Sequence, residues 1–251
     1  MGTGYHKGVL VKEAVGLLVH KKDGLYVDAT LGGGDHTEAL LNTSKKLRVL
    51  GIDRDMDSIN EVTKRFSRFS RLTIVHGAFA DIKRLVRENS YEEVSGILFD
   101  LGLSSHQIDI SERGFSFDND GPLDMRANRR DDEKTAYTVL NHYSPEDLMR
   151  IFWEYGDFKK SRRLTELIIN SRPLNTTGEL RDLVSEIVDS QKVQHGLSQV
   201  FQAVRIEVND EVGQLKKGLE DSLDILPKGG RIAVISYHSL EDRIVKMFFN
   251  M

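Results

Sequence analysis

A mostly parallel α/β sheet, interrupted by an inserted and mainly helical segment, is the fold this sequence predicts, and three observations predict it. Five short apolar or β-branched runs are separated by helical stretches rather than by hairpin turns, the pattern of a parallel sheet. Three consecutive glycines, Gly32 to Gly34, follow the first run directly and lead into a helix. About a hundred residues of little strand character separate the fourth run from the helix before the fifth, far more than the ~2 to 6 residues of an ordinary strand-to-helix loop.

Taken in order, the strands are read at LYVDAT (25–30), RVLGID (48–53), LTIVHG (72–77), SGILFD (95–100) and GRIAVIS (230–236). The fifth follows a helix whose apolar stripe is Val208, Val212, Leu215, Leu219, Leu223 and Leu226, in steps of 3 and 4. LPKGG then stops that helix and turns into the strand. Within the insertion, SPEDLMRIFWEYG opens with Ser144 as N-cap, Pro145 at the first helical position and acids in the first turn. NTTGELRDLVSEIV reads as another helix. The expected division is a core from 1 to 105, an inserted helical domain for substrate recognition from 106 to 200, and the returning core from 201 to 251.

Composition narrows the function classes. A chain of 251 residues can bury one large core or one core with a satellite. No apolar run approaches the ~18 residues of a membrane span, so a cytoplasmic protein with no membrane partner is expected. The absence of cysteine excludes disulfides, thiolate metal sites and a cysteine nucleophile, and no other cluster suggests a metal. MGTGYHKGVL has no signal-peptide apolar region, and His6 stands where a myristoylation signal wants Ser or Thr. With a net charge of -4, any nucleic-acid contact must come from a local patch. DMRANRR (124–130) and KKSRR (159–163) offer two, although a solvated helix face explains KKSRR as well.

In an open α/β sheet, ligands bind beyond the carboxyl ends of the strands, where the first strand-to-helix turn meets them. Gly32, Gly33 and Gly34 occupy that turn and let a ligand approach bare backbone. Asp53 ends the second strand, where an acid would accept both ribose hydroxyls of an adenosine, and Asp55 reads as a helix cap. Dinucleotides and S-adenosylmethionine share this geometry. A dinucleotide fingerprint wants glycine at Thr37 and a helix N-terminus open to pyrophosphate, which Asp35 would repel. Asp35 suits instead the ammonium and sulfonium of S-adenosylmethionine; the remaining alternative is a tight turn with no ligand.

Three longer strings, DLGLSSHQIDISERGFSFDNDGPLDMRAN, FQAVRIEVNDE and GGRIAVISYHSLEDRIVKMF, closely resemble the RsmH (MraW) family of ribosomal RNA small-subunit methyltransferases. The resemblance starts at YHKGVLVKEAV and runs to the end of the chain. It implies a Rossmann-like class I S-adenosylmethionine-dependent methyltransferase that acts on the N4 amine of a decoding-site cytidine in small-subunit RNA. It also implies a cofactor site from Gly34, Asp35, His36, Asp53, Phe79, Asp100 and Gln107, to which the loop reading adds Gly32. This chain departs from the family at Leu31 and Asp35 in the loop, at Gly8, His106 and Gly196 in place of prolines, and at Gln199 in place of an arginine. The family also runs several tens of residues further. That shortness predicts an exposed edge at 231–236, with apolar Met247, Phe248, Phe249 and Met251 beside it, and through it a destabilised chain or a homodimer.

Chemistry on a cytosine amine requires a hydrogen-bond acceptor near the reacting nitrogen, because its lone pair is delocalised into the ring. The candidates are Asp100, the hydroxyls of Ser104 and Ser105, and Asn209, with Asp100 favoured. His238 could take a proton or bind the base, or be structural. A base turned out of its stack could rest on Tyr237 or Phe117, either of which could equally be core. Two other readings remain open: methyl transfer to a small molecule or protein, and a ribosome-binding assembly factor without catalysis.

Overall fold

The computed structural model describes residues 8–129 and 134–250, apart from the side chain of Ser105. In chain order the elements are α1 (Val11–Leu18), β1 (Leu25–Asp28), α2 (Asp35–Thr43), β2 (Arg48–Asp53), α3 (Met56–Arg65), β3 (Leu72–His76), α4 (Ile82–Glu88), β4 (Gly96–Asp100) and α5 (Ser105–Asp109). They continue as α6 (Ala136–His142), α7 (Pro145–Glu154), α8 (Ser161–Ser171), α9 (Thr177–Ile187), α10 (Val193–Asn209), α11 (Glu211–Leu223), β5 (Arg231–Ile235) and α12 (Ser239–Phe249). Two compact units result: the residues up to Ser104 together with those from Val212 onward, and Ser105–Glu211.

The first unit is built on a sheet of order β3-β2-β1-β4-β5 in which every neighbouring pair is parallel. Such a sheet is covered on both faces, and its strands are accordingly apolar almost throughout. Alternate residues feed two cores. Leu25, Val27, Ile97 and Phe99 pack with Leu85 of α4 and with Leu215 and Leu219 of α11. Tyr26, Val49 and Leu98 pack with Leu18, Leu40 and Val62 of α1, α2 and α3. The chain steps outward from β1 to β3 on one side and resumes at β4 on the other. The loops after β1 and β4 therefore diverge, opening a crevice at the carboxyl ends of those two strands.

The apolar stripe expected from Val208 to Leu226 is divided. Asp210 adopts φ 47°, ψ 42° and caps α10 through its N–H to the Ile206 carbonyl, and α11 begins at the next residue. Val208 thus belongs to the helical unit, Leu215 and Leu219 face the sheet, and Leu223 is 59% exposed. A single left-handed residue, which aspartate tolerates, interrupts the helix without disturbing the spacing of apolar residues on either side. Because α10 runs unbroken from Val193 to Asn209, the return to the sheet unit comes at Val212 rather than at 201.

The second unit is helical, with Leu148, Ile151, Phe152, Leu164, Ile168, Leu180, Val200 and Val204 fully buried. Its helix starts follow capping chemistry. Ser144 accepts from the Asp147 N–H ahead of Pro145, and Thr176 forms a reciprocal capping box with Glu179. Among the described residues, no helix is long and apolar enough to cross a membrane.

Candidate active site

The turn after β1 is shaped by backbone. Leu31 N–H donates to the Ile52 carbonyl at 2.9 Å, and Gly34 N–H closes the turn on the Leu31 carbonyl at 2.8 Å. Gly32 and Gly34 have φ of +48° and +83°. A Cβ on Gly34 would also lie 2.8 Å from the Phe66 ring, so position 34 is restricted to glycine both by conformation and by space.

Asp53, at the end of β2, is tied to this turn. One carboxylate oxygen accepts from Gly32 N–H and the other from Asp55 N–H, each at 2.8 Å. A carboxylate has about four lone-pair sites. Two backbone donors orient the group and leave each oxygen able to accept once more, which suits a pair of adjacent hydroxyls. Burial raises the Asp53 pKa, and the two backbone bonds oppose that rise. Asp55 is the N-cap of α3, accepting from Asp57 N–H at 3.0 Å.

Asp35 is the first residue of α2, and both of its oxygens are engaged. Gly8 N–H reaches one at 2.8 Å and the Arg65 guanidinium the other at 2.9 Å. Arg65 also donates to the Gly33 carbonyl, pairs with Glu38 and lies 4.9 Å over the Phe66 ring. The aspartate charge is thus already matched by a cation thirty residues away, a partner no local motif signals. His36, the next residue, is buried. Its Nε2 lies 3.1 Å from the Val9 carbonyl and so carries a proton, since a carbonyl can only accept. Its Nδ1 lies 3.5 Å from a carboxylate oxygen of Asp100.

Asp100 ends β4 directly across the crevice. Its N–H donates to the Thr30 hydroxyl at 2.6 Å, linking β4 to the turn after β1. Its other carboxylate oxygen accepts from the Tyr237 hydroxyl at 2.8 Å. Burial raises the Asp100 pKa, against the Tyr237 hydrogen bond and the neighbouring His36. Burial and then Asp100 push the Tyr237 hydroxyl upward, so it remains a donor.

Asp28, which sequence reading passed over, lies beneath the turn and is fully buried. One oxygen accepts from the Thr37 hydroxyl at 2.7 Å, and the other has no hydrogen-bond partner among the described residues. Burial pushes its pKa up to about 6, outweighing the Thr37 bond. An acid closing an otherwise apolar strand, LYVD, was the available signal.

The remaining expected residues are placed differently. Phe79 opens a short turn after β3, half-buried, with its ring edge-on to Phe99 at 5.7 Å, so core packing holds one side of it. His238 is the N-cap of α12: Nδ1 accepts from Glu241 N–H at 3.4 Å, and Nε2 lies 3.2 Å from a Glu241 oxygen without the geometry of a hydrogen bond. Its ring is turned to its own helix, because a capping role needs the side chain folded back on the first turn. Gln107 and Asn209 belong to the helical unit, where both are buried. The Asn209 amide donates to the Met125 and Arg205 carbonyls at 2.7 and 2.9 Å and accepts from Ala127 N–H at 2.9 Å. Expected among the catalytic groups, it is committed to backbone. Phe117 packs edge-to-face on Phe201 at 5.4 Å.

The basic patches differ from each other. Arg126 and Arg129 both reach Asp124, at 2.7 and 3.4 Å, and Arg130 lies outside the described residues. Arg162 and Arg163 project from α8 and share Glu166 at 3.4 and 3.5 Å.

A parallel Rossmann-like sheet with its crevice at the β1–β4 switch point is the fold of the class I methyltransferases, and Asp35 at the head of α2 stands where a dinucleotide would need a free helix N-terminus for its pyrophosphate. The sequence is more specific. A model of the MraW methylase family matches residues 3–251, and the chain belongs to that family. A protein of Clostridium botulinum (strain Loch Maree / Type A3), named ribosomal RNA small subunit methyltransferase H, is 43% identical over 97% of this chain and 81% of its own length. Proteins of the same name from Thermosipho africanus and Mesoplasma florum are each 42% identical over 97% of this chain, and over 84% and 80% of their own lengths.

Proposed function

We propose that this chain transfers the methyl group of S-adenosylmethionine to the N4 amine of a cytidine in small-subunit ribosomal RNA, in the cytoplasm. The observation that carries the chemistry is the Asp100 carboxylate, which ends β4 at the β1–β4 crevice, is held there by the Tyr237 hydroxyl and is raised in basicity by burial. The names of the relatives support the substrate class.

The residues fit the cofactor. Gly32 leaves open space where a Cβ would stand, Gly34 closes the turn against Phe66 and Val62 as only glycine can, and Asp53 keeps one acceptor site on each oxygen for the ribose hydroxyls. His36 and Asp35 line the start of α2. When bound, S-adenosylmethionine supplies an electrophilic methyl on a positively charged sulfur. Asp100 accepts a hydrogen bond from the amine, which localises the nitrogen lone pair, and takes the proton that the amine sheds as it is methylated. Thr30 holds the Asp100 backbone, and Asp28 supports the turn from below through Thr37. The helical unit recognises the RNA, with exposed Arg162 and Arg163 suited to phosphates.

Labelled methyl transfer to small-subunit RNA, followed by nucleoside mass spectrometry, tests the reaction. Labelled N4-methylcytidine is the expected product, and its absence under conditions where the cofactor binds would sink the proposal. Asp53→Ala should weaken calorimetric cofactor affinity ten- to a hundredfold, the loss of about 1.5 to 3 kcal/mol from a charged acceptor. Unchanged affinity would remove Asp53 from the site.

A further inference from the structure

Tyr237 combines two properties that rarely occur together: its side chain is held at both ends and yet the residue is 52% exposed. Its backbone N–H donates to a Glu241 oxygen at 2.9 Å, and its hydroxyl donates to Asp100 at 2.8 Å. Between these anchors the ring runs close over Gly102, where φ is +100° and a Cβ would come within 3.2 Å of the ring edge. The backbone there is shaped to let the ring lie down. Packing does not explain this, since the residue is 52% exposed.

A fixed exposed aromatic has already lost its rotamer freedom, so a flat ligand that stacks on it pays less ordering entropy. The group beside it is a carboxylate that can only accept while ionised. A planar ring with an exocyclic amine matches both. A ring with a carbonyl at that position, as in uracil, would set oxygen against the carboxylate. Phe117, the other aromatic candidate, already packs against Phe201.

We propose that Tyr237 is the platform on which the target base stacks, and that its hydroxyl bond to Asp100 sets the distance between that stack and the acceptor of the amine protons. This deepens the function proposed above and rests on it. The ring and the hydroxyl have separable duties. The ring governs affinity for an unpaired aminopyrimidine, and the hydroxyl governs how well Asp100 meets the amine.

The test compares Tyr237→Leu with Tyr237→Phe in the full chain, measuring steady-state methylation of small-subunit RNA and fluorescence-anisotropy binding of labelled oligocytidylate. Thermal melting and cofactor calorimetry check that each variant folds. Tyr237→Leu should weaken oligocytidylate binding roughly five- to 150-fold, the range for losing one base–aromatic stack. Tyr237→Phe should keep that binding within about twofold while kcat falls about three- to tenfold, as expected for one lost hydrogen bond. Equal oligocytidylate affinity in Tyr237→Leu and the unaltered chain overturns the platform, and equal kcat in Tyr237→Phe overturns the positioning of Asp100. If the unaltered chain methylates no RNA, the proposed reaction fails, and the binding comparison still decides the platform.

Discussion

Particular polar side chains of the helical unit and of the strand ends are used in contrasting ways. In the helical unit, Asn209 ties Met125, Ala127 and Arg205, Asn141 grips both backbone groups of Leu174, and Asp120 accepts from Gly178 N–H. Each holds together chain segments that no helix or strand would join. At the carboxyl ends of β1 and β4, one oxygen of Asp28 has no hydrogen-bond partner among the described residues, Asp100 shares its carboxylate between a tyrosine and a histidine, and that tyrosine stands open to water. Incomplete satisfaction costs of order 1 to 3 kcal/mol per buried group. A fold tolerates it where a ligand completes the set. What marks the strand-end residues is unsatisfied capacity gathered at one crevice, since both units contain buried polar residues and the Thr165 hydroxyl of the helical unit also has no hydrogen-bond partner among the described residues.

Asp100→Asn should break the comparison most severely. The substitution keeps the shape and an acceptor for Tyr237 but removes the charge, so kcat should fall on the order of 10² to 10³ while the melting temperature changes little, a loss of about 3 to 4 kcal/mol in the transition state. Full kcat at saturating RNA and cofactor would show that Asp100 is scaffold after all. Asn209→Ala should do the reverse. It strands buried backbone groups at Met125 and Ala127, for a loss of about 2 to 4 kcal/mol in urea unfolding. A stable variant with depressed kcat would restore Asn209 to the catalytic group.

The smallest effect sharpens the comparison through pH. The Asp28 carboxyl titrates near 6 in the folded chain and from 3.8 when unperturbed. Between those values the folded state binds more protons than the unfolded one, so stability falls as pH rises. The contribution is complete below about 4 and gone above about 6. Asp28→Asn cannot ionise, so the stability of the parent relative to that variant should fall by about 1 to 3 kcal/mol as pH rises through the window, read as a widening gap between their urea unfolding free energies. A gap that does not change with pH would mean that burial does not raise the Asp28 carboxyl.

Strands and caps were legible because their signals are local. The run RVLGID became β2 without a residue's change, and Ser144 and Thr176 cap the helices that their neighbours announce. Asp53 and the glycine turn could be paired because strand ends in a parallel sheet are brought together by topology alone. Arg65 on Asp35, Tyr237 on Asp100 and Asn209 on Ala127 were not legible in the same way. Each joins residues separated by thirty or more positions and leaves no period in the sequence. The break at Asp210 was hidden for another reason: one left-handed residue changes direction without changing composition.

The bond between Tyr237 and Asp100 joins residues 137 positions apart. At roughly 5 to 20 residues per second of synthesis, β4 exists about 7 to 27 seconds before its partner residue is made. Through that interval β4 has β1 on one side and no β5 on the other, and Phe99 waits for α11. The glycine turn, Asp53 and Asp100 can be in place early, because the strands that carry them precede the insertion. The tyrosine arrives last, so the growing chain acquires its acid long before the residue that holds it.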